Sequence, residues 1–455
     1  MSLRSVDPTT GEVFATFAET TPAELEAALG RADAARATWR ATPLGARTER
    51  LTALGRVLRA RKGDYAVLMA REMGKPVADG EAEVEKCAVA CDHFAREAER
   101  MLAPEPVAVD PGVRAYVRLD PLGTVLAVMP WNYPFWQFFR AAVPALATGN
   151  TVVLKHAANV PECATAIADV AAAAGLPAGV VENLRLPSAR VAAVIADRRI
   201  HAVTLTGSTA AGRAVASAAG QALKKTVLEL GGSDPFLVLE DADLASAARV
   251  AADARLGNAG QSCIAAKRFI VVEAVADRFQ EALVATMRER RVGNPLDRAT
   301  QVGPLATREF RDGVHRQVEA TRAAGARVLL GGVVPEGAGA FYPPTVLAGV
   351  VPGMVAFDDE IFGPVAAIVR ARDEADALRL ANASPYGLGA SVWSGDRARA
   401  ERLAALLDVG TVAVNGQVRS DPRLPFGGVK DSGYGRELSS YGLREFTNVK
   451  SVVVR

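Results

Sequence analysis

The chain is poor in cysteine and in histidine, with four of each among 455 residues. Cys87, Cys91, Cys163 and Cys263 follow no spacing that reads as a disulfide framework. The scattered histidines argue against a histidine-built metal site or triad. Cys87 and Cys91 stand four apart in a helical pattern with His93 close by, but no second pair matches them, so core packing is favoured over a metal. No uncharged apolar run reaches the roughly 20 residues of a membrane helix. The first residues, Met1 to Pro8, hold no apolar segment of a secretory signal. A net charge of +2 leaves neither a nucleic-acid footprint nor a strongly acidic surface. The expectation is a soluble, reduced, cytoplasmic protein with no metal, nucleic-acid or membrane partner.

The length exceeds what one core supports, so two or three domains are expected. Residues 22 to 103 read as helices. Thr21-Pro22 with Glu24 is a helix start, apolar residues recur at helical spacing, and Gly74-Lys75-Pro76 breaks the run. After the prolines at 104, 106 and 111, short apolar runs alternate with helical patterns. Strands are expected at Arg114 to Leu119, Gly123 to Met129, Thr151 to Leu154, Ala202 to Thr206 and Thr226 to Glu229. This alternation argues for a parallel doubly wound sheet. It resumes at Phe236 to Leu239, Arg268 to Val272, Val365 to Val369 and Thr411 to Asn415, which reads as a second α/β domain. Val449 to Val454 is a strand candidate that could pair with Val113 to Leu119 away from both domains or across a subunit interface.

The chemistry-bearing residues stand in loops of these units. Cys263 follows the small and polar run Gly257 to Ser262. Glu229 lies in Leu-Glu-Leu-Gly-Gly and Glu360 in Glu-Ile-Phe-Gly-Pro. A thiol with a carboxylate can attack a carbonyl and then hydrolyse the product; a lone cysteine can equally be a small buried hydrophobe. Thr204 to Arg213 reads as a strand turning through Gly207 and Ser208 into a helix, whose N-terminal N–H groups suit a pyrophosphate. It lacks the full G-x-G-x-x-G pattern, and a plain strand–turn–helix junction would look the same. In Pro130-Trp131-Asn132-Tyr133-Pro134, Asn132 could donate to an oxyanion or simply form a turn. Lys155 ends a strand, where parallel sheets face their ligand crevice.

Taken together and in order, Pro130-Trp131-Asn132, Lys155, Thr206-Gly207-Ser208, Glu229 to Gly232, Gly260 to Cys263, Glu360 to Pro364 and Pro425 to Gly428 resemble the NAD(P)-dependent aldehyde dehydrogenase superfamily, from about Val6 to Val454. Leu154 to Ala157, Glu229 to Phe236, Cys263 to Phe269 and Gly433 to Leu438 are similar to bacterial succinate-semialdehyde dehydrogenases. The resemblance implies two Rossmann-like open sheets, one for the cofactor and one for catalysis, plus a small β oligomerisation element. Expected boundaries are 1–103 and 122–230 for the cofactor domain, 231–430 for the catalytic domain, and 104–121 with 431–455 for the oligomerisation element and tail. It further implies that Cys263 attacks the aldehyde, that Asn132 and the Cys263 N–H hold the oxyanion, and that Glu229 activates water against a thioester. Cofactor contacts are expected from Trp131, Asn132, Lys155, His156, Ala157, Ala158, Gly207, Ser208, Leu230, Glu360 and Phe362. A homodimer or homotetramer is expected.

Two departures carry consequences. Ala158 stands where NAD-preferring relatives often carry glutamate, so repulsion of a 2′-phosphate is removed and NADP is favoured over NAD. Ala265 excludes a disulfide with the nucleophile two residues before it. For a substrate carboxylate, Arg140 is the first candidate, sharing a helix face with Trp136 and Gln137; Ser420 and Arg423 come second. The competing reading pairs Arg140 with a carboxylate of the protein itself. Another small or medium aldehyde, and a non-catalytic dinucleotide-binding protein, are the alternatives to succinate semialdehyde oxidation.

Overall fold

A computed structural model describes residues 2–455. The expected helical region is four helices, Pro22–Ala41, Leu44–Ala60, Lys62–Met73 and Val77–Met101. The first starts at a capping box, Thr21 with Glu24. The third stops where Gly74 turns left-handed at φ 79°, against Pro304, whose carbonyl oxygen would lie 2.6 Å from an added Cβ.

Two large sheets follow. The first runs in the order Gly433–Tyr434, Lys225–Glu229, Ala202–Thr206, Thr124–Val128, Thr151–Lys155, Val181–Asn183. All of its pairings are parallel except that of Gly433–Tyr434. The second runs Arg327–Leu330, Thr345–Ala348, Val365–Ala371, Ala266–Val272, Asp234–Val238, Gly389–Trp393, Thr411–Val414, antiparallel only at its Arg327 edge. Each sheet is buried on both faces, as the continuous apolar runs of parallel strands require.

Thr447–Val454 pairs along its whole length with Arg114–Pro121, which also pairs with Glu105–Val107. This small antiparallel sheet stands apart from both large ones. The segment before it behaves otherwise than expected. Gly433–Tyr434 is hydrogen-bonded to Lys225–Glu229 and helix Ser439–Glu445 lies on helix Pro134–Thr148, so both belong with the first sheet rather than with a tail. Among the described residues no helix is long and apolar enough to cross a membrane.

Helix Pro134–Thr148 is buried around its whole circumference. Its first turn has no side-chain cap of its own; instead Glu83 accepts from the N–H groups of Phe135 and Trp136, both at 2.9 Å. Lys75, fully buried, pairs with Glu83 and lies over the Tyr133 ring. Helix Val77–Met101 thereby fixes where the Pro134 helix begins. Cys87, Cys91 and Cys163 are packed in the apolar cluster around these helices.

Candidate active site

Thr124–Val128 has Thr151–Lys155 on one side and Ala202–Thr206 on the other. The chain order therefore reverses at this strand, and ligand crevices of open α/β sheets lie at the carboxyl end of such a switch. Ser208 caps the helix Thr209–Gln221, its Oγ accepting from the Ala211 N–H at 3.3 Å. The nearest atom to a Cβ added at Gly207 would be 3.7 Å away, so the turn is roomy. Gly212 is the opposite case: its helix presses on Leu230, whose carbons would lie 2.5 Å from an added Cβ. Lys155 is buried at its strand end and makes no ion pair among the described residues; burial holds its ammonium below the usual lysine range. A helix N-terminus, an unpaired lysine and the uncharged pair Ala157-Ala158 fit the phosphates of a dinucleotide.

The His156 ring is engaged within the fold. Its Nε2 meets the Pro134 carbonyl at 3.0 Å and its Nδ1 accepts from the Ala157 N–H at 2.8 Å. Burial depresses it to about 4, so the ring is neutral and locks the strand-end turn to the Pro134 helix. Both ring nitrogens are used within the fold, which leaves the backbone of His156 for the expected cofactor contact.

The Cys263 loop comes from the amino end of the second sheet. Asn258 and Ala259 have φ of 54° and 53°, and Gly260 follows at 75°. Non-glycine residues there cost on the order of 1 kcal/mol each, so surrounding contacts must impose the shape. An added Cβ on Gly260 would lie 2.3 Å from the Gly363 carbonyl oxygen. Asn258 donates to the Asn132 carbonyl at 2.8 Å, and Asn132 donates back to the Gln261 carbonyl at 3.1 Å. The two loops are thus sewn together, and Asn132 retains a second amide N–H for an oxyanion. Lys267 is buried behind the loop and donates to the carbonyls of Ser262 (3.0 Å), Cys263 (2.8 Å) and Ala265 (3.3 Å). The same ammonium lies 3.2 Å from Glu360. The Glu360 carboxylate in turn occupies the space beside Gly231, 2.6 Å from an added Cβ. Trp131 stacks on Phe310 at 4.8 Å and meets Phe362 edge-on at 5.8 Å.

Cys263 opens into a cavity of about 230 Å³, lined also by Tyr133, Trp136, Gln137, Arg140, Lys86, Ser420 and Phe426. Its charged lining residues are Lys86, Arg140, Arg419 and a single acid, Asp253. Asp253 is bound to Arg290 at 2.7 Å. Burial pushes the Cys263 thiol up to about 12, with Arg140 and Lys267 opposing and the carboxylates Glu360 and Glu229 reinforcing. Burial therefore favours the protonated thiol over the thiolate at neutral pH.

Glu229 is fully buried and neither carboxylate oxygen has a hydrogen-bond partner. It packs against Gly427, where an added Cβ would be 2.6 Å from its Oε1. Burial, then the charge of Glu437, holds it well above the usual carboxylate range, against Arg140 and Arg436. Arg140 is committed elsewhere than expected. Its guanidinium forms a buried ion pair with Glu437, touches Thr206 Oγ1 at 3.3 Å and lies over Phe426. The competing reading of the sequence, an internal pair, is the one seen, and Arg140 is removed as the free anchor for a carboxylate. Arg423 is an exposed residue bound to Asp421. Lys86, Lys267 and Glu437 were not singled out from the sequence. Only Lys267 had a signal, four residues after Cys263 in a buried strand.

The profile of the Aldehyde dehydrogenase family matches residues 1–452. The chain is 49% identical over 448 residues to the NAD(P)+ succinate semialdehyde dehydrogenase Sad of Escherichia coli, covering 98% of this chain and 97% of that protein. It is 46% identical over 457 residues to the NADP+ succinate-semialdehyde dehydrogenase of Mycobacterium avium, covering 99% and 96%. The crystal structure of succinic semialdehyde dehydrogenase from Streptococcus pyogenes with NADP+ superposes with a TM-score of 0.97 at 38% identity, covering 99% of each chain.

Proposed function

The chain belongs to the aldehyde dehydrogenase family, and from that premise we propose that it oxidises succinate semialdehyde to succinate, using NADP+ or NAD+. The observation that carries the substrate is the cavity: a small space beside a thiol, where Arg140 is paired with Glu437 and Asp253 with Arg290, which leaves the cations Lys86 and Arg419 on the rim. An aldehyde with a distal carboxylate suits it, and so do the activities named for the relatives above. Small aldehydes without a charge are the second reading, because the wall also offers Trp136 and Phe426. A non-catalytic reading would leave the cross-linked loop at Cys263 without a purpose.

The dinucleotide would be held by Ser208 and the first turn of its helix, by Lys155, and by Glu360 near Trp131 and Phe362. When bound, it would supply the hydride acceptor through which the Cys263 adduct becomes a thioester. The chain's own residues do the rest. Cys263 gives its proton to water in the cavity, its thiolate adds to the aldehyde carbon, and the oxyanion formed is met by Asn132 and the Cys263 N–H. Water then adds to the thioester carbon, its proton passes to Glu229, and sulfur leaves as the acid forms. The raised proton affinity of Glu229 suits it to that step. Arg140 and Lys267 provide the positive field that favours thiolate.

NADP is preferred in this reading, since no carboxylate follows Lys155 in its turn. We further assign a homodimer or homotetramer built on the edge strand Thr447–Val454, where Val449 and Val453 are exposed. A cytoplasmic setting suits the free Cys263 thiol. The test is reduced-cofactor formation with a panel of aldehydes and both cofactors. Turnover of succinate semialdehyde well above butanal supports the assignment; equal turnover rejects the substrate, and none with any aldehyde rejects the activity.

A further inference from the structure

Lys267 has more partners than hydrogens. Its three N–H groups meet the carbonyls of Ser262, Cys263 and Ala265 and the carboxylate of Glu360. One contact is therefore always shared. Glu360 is the only carboxylate in ion-pair contact with it among the described residues, and it is the partner that the dinucleotide would claim. A buried ammonium whose one acid turns to a ligand is left uncompensated unless a second acid stands by.

Asp234 is placed to be that acid. In the second sheet Asp234 faces Ala266 and Pro235 faces Arg268, so Lys267 is the extra residue of a bulge between these two strands. The bulge sets Lys267 beside the first residue of the facing strand. The pair Gly231-Gly232 lies between the two acids. Glu360 fills the space beside Gly231, whereas a Cβ added at Gly232 would lie 2.7 Å from the Cys263 carbonyl oxygen and 3.1 Å from Asp234 Oδ1. Asp234 therefore stands across Gly232 from a carbonyl that Lys267 holds. It is 2% exposed; its Oδ1 accepts from the Gly389 N–H at 3.1 Å, and its Oδ2 has no hydrogen-bond partner. The neighbouring Arg268 uses its N–H groups on the carbonyls of Ser233, Leu380 and Ala381, so it does not take that oxygen. Burial pushes Asp234 up to about 7, and Lys267 is the foremost of the groups that oppose the rise.

We propose that Asp234 is a positioning residue that acts through Lys267: it shares the charge of that ammonium, so that Glu360 is held beside Gly231 without being trapped there and can turn to the dinucleotide. This rests on the reading above in which Glu360 contacts the cofactor. Without the Asp234 charge, Lys267 has Glu360 as its sole counter-charge and grips it harder. The same loss removes a negative charge from the neighbourhood of Cys263, which favours thiolate. Dinucleotide affinity and thiol reactivity then move in opposite directions, which a packing defect would not produce.

The test measures the Kd of NADPH by fluorescence titration, and the rate of Cys263 alkylation by iodoacetamide in the cofactor-free protein. Both are read at pH 8, above the point where Asp234 ionises. The proteins are the wild type, Asp234→Asn, Lys267→Met, the double variant of these two, and Glu360→Gln. Asparagine keeps the shape of the side chain and an oxygen for the Gly389 N–H but carries no charge. Asp234→Asn should raise Kd about three- to tenfold, the scale of one charge pair in a partly buried place, and should speed alkylation several-fold. Added to Lys267→Met, it should leave Kd where Lys267→Met has put it. An unchanged Kd in Asp234→Asn, or weaker binding together with slower alkylation, overturns the inference. So does a rise in Kd of the same size in the Lys267→Met background, because Asp234 would then not act through Lys267. If Asp234→Asn does not fold, Asp234→Ser takes its place with the same expectations. A Glu360→Gln variant that binds NADPH as tightly as the wild type overturns the cofactor reading, and this inference with it. Binding weakened in Glu360→Gln but untouched in Asp234→Asn overturns the inference alone.

Discussion

Arg140 and Glu437 form an ion pair with both side chains only 2% exposed, between the helix that follows the Asn132 loop and the segment behind Glu229. One cation thus serves two acids and a thiol: it opposes the proton affinity of Glu437, of Glu229 and of Cys263. Removing one partner of such a pair strands the other, at a cost of about 3–5 kcal/mol. Arg140→Met should therefore lower Tm and reduce kcat for succinate semialdehyde and butanal alike. A selective loss on the charged substrate with unchanged Tm would return Arg140 to the substrate.

Cys263→Ala should abolish oxidation of every aldehyde while leaving dinucleotide binding intact, because the residues fitted to the cofactor belong to the Ser208, Lys155 and Glu360 loops. Binding is read by fluorescence titration with NADPH. Residual turnover near wild type would mean that another group attacks the carbonyl.

How much of this was legible beforehand depended on whether a feature is local. The strand, turn and helix of Ala202–Thr206 and Thr209–Gln221 are readable because Thr-Gly-Ser supplies the turn and the cap in sequence. Gly389–Trp393 was not anticipated: Gly-Ala-Ser-Val-Trp has little apolar alternation, and tertiary burial on both faces makes it a strand. The thiol, Glu229 and Asn132 were visible as residues in motifs. The left-handed run before Cys263 was not, since contacts with Asn132 and Gly363 impose it on Asn258 and Ala259. Lys86 looks like any helical lysine until the helix is laid against Trp136, and Glu437 finds Arg140 only through the fold.

Glu229→Gln should preserve a burst of NADPH in the first turnover and then stall at the thioester. In the wild type Glu229 is useful as a base only when ionised. Burial and Glu437 raise its proton affinity, so the acid limb of kcat should lie above the ordinary carboxylate range, with the rate falling as pH falls through it. Unchanged steady-state turnover in the variant would assign the water to another base.

Ala158→Glu should move preference toward NAD. The new carboxylate would stand in the turn after Lys155 and oppose a 2′-phosphate. Like charges in a partly buried site cost on the order of 1 kcal/mol, roughly a tenfold change in the ratio of kcat/KM for the two cofactors. An unaltered ratio would show that this turn does not read the phosphate.

Lys267 joins what the sequence shows as separate motifs. Its ammonium binds three carbonyls of the Cys263 loop and the carboxylate of Glu360. Lys267→Met would leave those carbonyls without their donor in a buried place, at about 1–3 kcal/mol for each group left unsatisfied. It would also withdraw a positive charge that favours thiolate. Two effects should then appear together. The rate of alkylation of Cys263 by iodoacetamide should fall at a fixed pH, and its pH profile should move upward. The KM for the dinucleotide should also rise, because Glu360 loses the partner that holds it beside Gly231. Lys267→Arg should restore the charge and recover part of the alkylation rate, whereas a purely packing role predicts no such recovery. Alkylation and cofactor KM both at wild-type values in Lys267→Met would show that the loop holds its shape through Asn258 and Gln261 alone.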